Sequence, residues 1–336
     1  MKIKLLTAST ALKEIILKNL DEVNLTADVI DFNQPLYPQL KDVEILVNSS
    51  AKVDRSVIDA APNLRMIHQS GIGIDNIDVS YCTTKSIYVA NVPLANAISV
   101  AEHTLFLMLF LAKNVKSSGT PNISVMRKRF TNALGSDLQG KTLTIIGLGA
   151  TGIEVAKRAR SFGMKIVAIT QPPFSRKGVD KTHYVDNIGG PENLLQFLVD
   201  ADFVSIHTPL NDETRNMIGE KELNFMKKSA YLINVARAPI VDKEALFDAL
   251  KTRSIAGAAF DVFWNEPPSE DEKLLQLDNF ILTSHIAGWT NEAVEATGRI
   301  IAINIARISR GEVPLTVVNS ELILEKDSKV RDKDFA

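Results

Sequence analysis

The sequence predicts an α/β protein made of two doubly wound parallel-sheet domains, and three observations predict it. Short β-rich runs alternate with helical patterns along most of the chain, the mark of a parallel sheet covered by helices. At about 150 residues per domain, 336 residues make two domains, each large enough to bury its own core. A glycine-rich turn, Gly147-Leu148-Gly149-Ala150-Thr151-Gly152, stands in mid-chain between a strand pattern and a helix pattern, where a second α/β series begins.

In the first third, strands are expected near Ile3–Leu6, Asp28–Asp31, Glu44–Val47, Met66–His68 and Tyr88–Ala90, with helical segments such as Ala11–Leu20 between them. A long helix is expected from near Ser99 to about Asn114, carrying the chain out of this domain. Lys116–Leu138 is polar and basic and reads as surface. The second series opens at Gly140-Lys141. Its expected strands are Leu143–Ile146, Lys165–Ile169, Phe203–Ile206, Tyr231–Asn234, Ala256–Asp261 and Phe280–Thr283. An amphipathic helix, about Asn291 to Ser309, is long enough to return to the first domain. One domain is therefore expected over 1–98 plus 290–336, the other over 99–289. The tail Glu321–Ala336 is highly charged, and its end is expected to be mobile.

Composition excludes several classes. With 38 Lys+Arg against 40 Asp+Glu, the formal charge is −2, so the electrostatic drive for wrapping nucleic acid or coating an anionic membrane is missing. The single cysteine, Cys82, excludes an internal disulfide and a cysteine-rich zinc site, and no metal is expected. A reducing cytoplasm fits, as does an N-terminus without a signal-peptide pattern. The most apolar stretch, Thr104–Ala112, is far shorter than the roughly 18 residues of a membrane span and reads as a buried helix.

The glycine turn follows the strand Leu143–Ile146 directly and precedes a helix carrying Val155, Ala159 and Phe162 on one face. In that context Gly147 permits the tight turn, Gly149 lets a pyrophosphate approach the backbone, and Gly152 lets helix and strand pack closely. The helix N-terminal amides would hold the diphosphate of a dinucleotide. Thr170 lies 18 residues past Gly152, about where the ribose-binding acid of an NAD site falls. No acid stands there, and Ser175, Arg176 and Lys177 follow. An acid to repel a 2′-phosphate is missing, and Arg176 or Lys177 either pairs with that phosphate, if the loop folds inward, or belongs to a solvated turn; NADP is expected to be accepted and slightly preferred over NAD.

Each later strand ends in polar residues: His207-Thr208-Pro209-Leu210, Asn234-Val235-Ala236-Arg237, Asp261 with Glu266-Pro267, and Ser284-His285-Ile286-Ala287-Gly288. In an open parallel sheet such ends line one crevice, so Arg237, Glu266 and His285 can converge although far apart in sequence. An arginine clamps a carboxylate bidentately, and a histidine beside a carboxylate serves as acid or base near neutrality. Of the five histidines, His285 is the catalytic choice. His68, His103 and His183 read as structural or surface, and His207 as a strand-end residue.

On these residues the chain resembles the D-isomer-specific 2-hydroxyacid dehydrogenases, over roughly Glu44 to Val318. The motifs are Gly71-Ile72-Gly73-Ile74-Asp75-Asn76-Ile77-Asp78; Asn91-Val92-Pro93 with Asn96 and Ser99-Val100-Ala101-Glu102; the glycine cradle; His207-Thr208-Pro209-Leu210; Asn234-Val235-Ala236-Arg237 with Val241-Asp242; Asp261-Val262-Phe263 with Glu266-Pro267; and His285-Ile286-Ala287-Gly288. The resemblance implies a flavodoxin-like substrate domain and a Rossmann dinucleotide-binding domain. It implies that Arg237 binds the substrate carboxylate, that His285 donates the proton as hydride arrives, and that Glu266 orients and charges His285. The amides of Ile72 and Gly73 would hold the carboxylate from the substrate domain. Gly147, Gly149, Ala150, Thr151 and Gly152 would sit under the pyrophosphate, with Thr170, Gln171 and Arg176 by the adenosine ribose. Thr208, Pro209, Thr214, Val235, Ala236 and Gly288 would line the cofactor groove, and Asp261 would hold the nicotinamide carboxamide. The helix from Ser99 would lie in a homodimer interface.

Three departures stand out. The family's Arg-Gly pair is Arg237-Ala238, Thr170 replaces an acid, and the arginines of phosphoglycerate-specific members appear as Asn48 and Ser50, with Lys52 and Arg55 nearby. The resulting expectation is an NAD(P)-dependent oxidoreductase acting on a small 2-keto or D-2-hydroxy acid. Glyoxylate or hydroxypyruvate comes first and 3-phosphoglycerate second, and no serine-sensing regulatory module is expected. The alternative is a dinucleotide-sensing corepressor on the same fold, which would bind without turnover.

Overall fold

The computed structural model describes residues 1–115, 134–172, 175–176 and 179–322, with the backbone alone for 175–176 and 179–182. The chain divides into two compact units, Met1–Asn96 with the described part of Trp289–Ala336, and Ala97–Gly288.

The first unit opens with β1 (Ile3–Leu6), α1 (Thr10–Asp21), β2 (Asp28–Val29), β3 (Ile45–Asn48), α2 (Arg55–Asp59), β4 (Met66–Gln69), α3 (Val79–Thr84) and β5 (Tyr88–Ala90). Its sheet is parallel in the order β2-β1-β3-β4-β5, the flavodoxin-like winding. β3, β4 and β5 are buried throughout, which is why they read as continuous runs rather than alternating ones. Ser9 caps α1 by accepting the Leu12 amide at 3.2 Å, and Leu12, Ile16 and Leu20 form its buried stripe. β2 is shorter than its apolar pattern suggests. It is an edge strand whose register on β1 ends at Val29, after which only the Ile30 amide still reaches the Leu5 carbonyl.

The second unit begins with α4 (Ala97–Ala112), which stops as Asn114 turns left-handed at φ 51°. Then come β6 (Thr142–Ile146), α5 (Ala150–Ser161), β7 (Lys165–Ile169), the antiparallel pair β8 (Ser175–Arg176) and β9 (Val179–Asp180), and β10 (Asn187–Gly189). α6 (Leu194–Val199), β11 (Phe203–Ile206), α7 (Glu220–Phe225), β12 (Tyr231–Asn234), α8 (Lys243–Lys251), β13 (Gly257–Phe260) and β14 (Phe280–Leu282) complete it. Its sheet is parallel in the order β10-β7-β6-β11-β12-β13-β14, the Rossmann order extended by one strand. The sequence pattern misses β10, an edge strand of three residues with no alternation to show. Two apolar cores pack in this unit. One holds Leu107, Met108, Val155, Ala159 and Ile166, the other Leu246, Leu250, Phe260 and Phe280.

Leu138 corrects the surface reading of its segment. It is buried beside Leu143 and Met164, because the chain must re-enter the core to start β6. The rest of that segment, 116–133, and the tail beyond residue 322 lie outside the described residues. The last helix, α9 (Asn291–Ser309), belongs to the first unit. Ile301, Ile305 and Ile308 join Leu12 and Ile16 in its core, and Asn304 donates to the buried His68 ring at 2.9 Å. Among the described residues no helix is long and apolar enough to cross a membrane.

Candidate active site

The predicted site residues of the second unit come from the turns that follow β6, β7, β11, β12, β13 and β14. Gly147 leaves β6 at φ 100°, a region that disfavours any side chain. A Cβ there would lie 2.6 Å from the carbonyl carbon of His207 and the amide of Thr208, so glycine lets the cradle touch the turn after β11. At Gly152 a Cβ would collide with the Gly147 carbonyl oxygen. At Gly149 the opposite holds: open space lies where a Cβ would stand. Gly149 is also the N-cap of α5 and supplies no side-chain cap, which leaves the helix's first amides facing that space. A dinucleotide diphosphate fits this arrangement, taking the amides around Ala150 and Thr151 and the positive end of the helix dipole.

Thr170 continues β7, its amide bonded to the Gly189 carbonyl at 3.0 Å. The side chain of the next residue, Gln171, donates to Glu213 at 3.4 Å. Glu213 rides on a well-fixed turn after β11: the Asn211 side chain accepts the amides of Glu213 and Thr214 at 3.0 and 2.9 Å. Thr214, expected among the cofactor contacts, is buried and donates its hydroxyl to the Pro209 carbonyl at 2.7 Å, which shapes the Thr208-Pro209 turn. The side chain of Arg176 lies outside the described residues.

After β12, buried Asn234 brackets its own turn. It accepts from the Ala236 amide at 3.0 Å and donates to the Arg237 carbonyl at 2.9 Å. That holds Val235 and Ala236 half-buried and presents Arg237, whose guanidinium also donates to the Ala236 carbonyl at 2.9 Å. Ala238 stands where a glycine is usual in the resemblance, yet it opens a turn of 3₁₀ helix rather than a left-handed bend, so its Cβ costs nothing there.

His285 and Glu266 meet directly. His285 Nδ1 lies 2.7 Å from one Glu266 oxygen, and the other oxygen accepts the Phe263 amide at 2.8 Å. The bond to Glu266 raises the imidazole above its ordinary 6.5, with burial and the Arg237 charge pulling the other way. Burial pushes Glu266 up, but the bonds from His285 and the Phe263 amide, with the charges of His285 and Arg237, outweigh it and leave the group below the usual carboxylate range. Arg237 thus acts electrostatically on both partners. The His285 and Glu266 side chains are 51% and 39% exposed, open enough to meet a ligand.

His285 has φ 55°, a conformation that costs a residue with a Cβ roughly 1–2 kcal/mol. What holds it is Asp261, whose carboxylate is 1% exposed and accepts the amides of Ile286 and Ala287 at 3.0 and 2.8 Å and the Thr283 hydroxyl. Asp261 is therefore heavily engaged by the His285 turn. Behind it stands His103 of α4, with Nε2 3.0 Å from the Thr283 hydroxyl. The sequence reading gave His103 as structural or surface, without a partner, and did not single out Glu213. No motif marks either, and only the proximity of α4 to β14, and of the β11 turn to β7, reveals them. Gly288, just past this turn, is half-buried.

In the first unit, Ile72 is exposed and Gly73 half-buried, and the Ile72 carbonyl accepts from the Asn91 side chain at 2.8 Å. Asn48 and Gln69, at the ends of β3 and β4, are buried and bonded to each other at 2.9 Å.

Comparisons with known proteins point the same way. Residues 105–287 match the model of the D-isomer specific 2-hydroxyacid dehydrogenase, NAD binding domain. The chain is 41% identical over 307 residues to the D-3-phosphoglycerate dehydrogenase of Methanocaldococcus jannaschii, covering 90% of this chain and 56% of that protein. It is 39% identical over 310 residues to the glyoxylate reductase of Pyrococcus furiosus, covering 90% and 88%. Against the phosphoglycerate dehydrogenases of M. jannaschii and Archaeoglobus fulgidus, then, it spans 56% and 52% of their length. A crystal structure of D-lactate dehydrogenase from Aquifex aeolicus, complexed with NAD and lactic acid, superposes with a TM-score of 0.81 at 27% identity, covering 94% of this chain and 99% of that one. A cradle open over a helix N-terminus and a histidine–glutamate pair under the influence of one arginine thus occur in a chain that, by both its family match and its near-full-length relatives, belongs to the D-isomer specific 2-hydroxyacid dehydrogenase family.

Proposed function

We propose that this chain is an NAD(P)-dependent dehydrogenase that interconverts a small 2-keto acid and a D-2-hydroxy acid, with the second unit as its dinucleotide domain and the first as its substrate domain. The observation that carries the reading is the 2.7 Å bond between His285 and Glu266 at strand ends of the NAD-binding fold. A bound nicotinamide supplies the hydride in reduction and accepts it in oxidation. The chain's own residues handle the proton and the charge. With Nδ1–H directed at Glu266, His285 keeps its Nε2 proton for the substrate oxygen in reduction and takes one back in oxidation. The bond to Glu266 raises the affinity of the ring for that proton. Arg237 binds the carboxylate and polarises the keto oxygen, as its fixed fork of donors suits a planar anion. In the first unit we assign the amides of Ile72 and Gly73 as carboxylate donors; neither has a hydrogen-bond partner among the described residues. A corepressor on this fold can keep the same trio, so steady turnover of a keto acid is what separates the two readings.

Unphosphorylated substrates suit the first unit better than phosphoglycerate. Its strand ends carry amides and hydroxyls, and the cations close by in sequence, Lys52 and Arg55, are exposed side chains 4.0 Å from Asp54 and 3.2 Å from Asp78 rather than part of the buried strand ends. Glyoxylate and hydroxypyruvate are the substrates we favour. For the cofactor, Thr170 leaves a 2′-phosphate unopposed and favours acceptance of NADP, whereas Glu213 beside Gln171 returns some negative charge to the same turn. We also assign the exposed side of α4, Ile98 and Phe106, to a homodimer interface in the cytoplasm. The decisive experiment is a panel of glyoxylate, hydroxypyruvate and 3-phosphohydroxypyruvate assayed with NADH and NADPH. Steady turnover of the first two supports the proposal, and binding of dinucleotide without turnover of any keto acid refutes it.

A further inference from the structure

His103 has no place in the mechanism above, yet it is tied to the turn that carries His285. Its Nε2 lies 3.0 Å from the Thr283 hydroxyl oxygen and 3.4 Å from Asp261 Oδ1. A threonine hydroxyl has one proton. Here the Asp261 carboxylate is by far its nearer acceptor, the Phe260 carbonyl standing at 3.5 Å. The Thr283 oxygen is then left to accept, and His103 must donate to it through Nε2–H. This donation keeps a proton on Nε2, while burial pushes the ring's pKa down against the pull of Asp261. The chain of bonds runs from His103 through Thr283 to Asp261, and Asp261 in turn accepts the amides of Ile286 and Ala287. Thr283 and Ile286 flank His285, so both sides of the left-handed residue are fastened to one buried carboxylate.

We infer that His103 is a positioning residue: through Thr283 and Asp261 it keeps the His285 backbone in the left-handed conformation that aims the imidazole at Glu266. The inference rests on the proposed role of His285 as proton donor. The charged groups that act on His285 are Glu266, Asp261 and Arg237, and His103 stands behind Asp261. Loosening the turn lengthens the His285–Glu266 bond, so the imidazole loses protons at lower pH.

The test compares His103→Phe, which keeps a ring but no donor, with His103→Gln, whose Nε2 lies as many bonds from the backbone as that of histidine. In His103→Phe, kcat for keto-acid reduction should fall on the order of ten- to a hundred-fold, the cost of a misplaced proton donor. The alkaline limb of the pH profile should move down. His103→Gln should restore most of kcat and the limb. Hydrogen exchange at the Ile286 and Ala287 amides, read on the free protein, should rise in His103→Phe and not in His103→Gln. If His103→Phe does not fold, Thr283→Val breaks the same chain and should give the same exchange and the same loss. Unchanged exchange, kcat and pH profile in the folded variants overturn the inference. Raised exchange in His103→Phe, with a wild-type protein that turns over no keto acid at all, would count against the dehydrogenase reading instead, leaving the clamp in place.

Discussion

The two sheets are both parallel and doubly wound, and they end their strands in different chemistry. In the first unit β1, β3, β4 and β5 run into Thr7, Ser49, Ser70 and Asn91, and the buried amides of Asn48 and Gln69 bond to each other. In the second unit the turns after β12, β13 and β14 bring Arg237, Asp261, Glu266 and His285, and the first three all act on the proton affinity of His285. The comparison teaches that winding dictates where a site forms, at the carboxyl ends of the strands, while one or two residues beyond each strand decide what it does. A neutral rim suits recognition of hydroxyl and carbonyl groups. A charged rim costs desolvation and is kept where the charges pair and move protons.

The sharpest way to break this contrast is to remove charge from the charged rim. Arg237→Ala should lower kcat/KM by about 3 kcal/mol or more, some two orders of magnitude, and Arg237→Lys should recover little of it, because an ammonium cannot make the bidentate contact. A near wild-type kcat/KM in the alanine variant would remove Arg237 from the site.

The first unit also carries a titrating group, but a buried one. His68 is fully buried, and burial pushes its pKa down from 6.5 to about 4. The unfolded chain therefore takes up a proton that the folded unit refuses. Its contribution to stability is complete above pH 6.5 and is lost progressively as pH falls towards 4, by about 3 kcal/mol in all. Chemical denaturation at neutral and mildly acid pH should show this loss in the wild type and a smaller one in His68→Gln. Equal slopes would mean that the ring is not what makes the unit acid-sensitive.

For the charged rim the sign is reversed. Glu266 raises the His285 pKa, so reduction, which needs the imidazolium, should persist to higher pH than an isolated histidine allows and fall as pH rises through the raised value. Glu266→Gln should move that fall to lower pH. A pH–rate profile that does not move would leave Glu266 with a structural role only.

Smaller effects are expected at the edges of the second unit. Phe106 and Ile98, 50% and 55% exposed on α4, should be covered in a homodimer, and Phe106→Asp should lower the assembly state seen by native mass measurement. A wild-type monomer defeats that assignment. Last, Glu213→Gln should raise the NADPH to NADH ratio of kcat/KM modestly, since an exposed carboxylate repels a 2′-phosphate only weakly, and Thr170→Asp should lower it. A ratio insensitive to both changes would place the ribose reader elsewhere.

The sequence by itself was enough to place two α/β series, the glycine cradle on a strand–turn–helix, and Arg237, Glu266 and His285 at strand ends, because apolar period, turn residues and glycine spacing are local signals read within a dozen residues. It was poor at the sheet margins. β2 is curtailed and β10 escapes notice, since an edge strand answers to its neighbour's register more than to its own pattern. The glycine expected after Arg237 proved unnecessary once the 3₁₀ turn at Ala238 was in view. Tertiary structure alone decided what joins residues far apart in the chain. His103 reaches Thr283 across 180 positions, His68 reaches Asn304 across 236, and Gln171 finds Glu213 across 42. Nothing local could announce these pairs. A hydrogen bond needs its donor and acceptor within about 3 Å, and only the packing of α4 on the second sheet, of α9 in the first core and of the β11 turn beside β7 sets that distance.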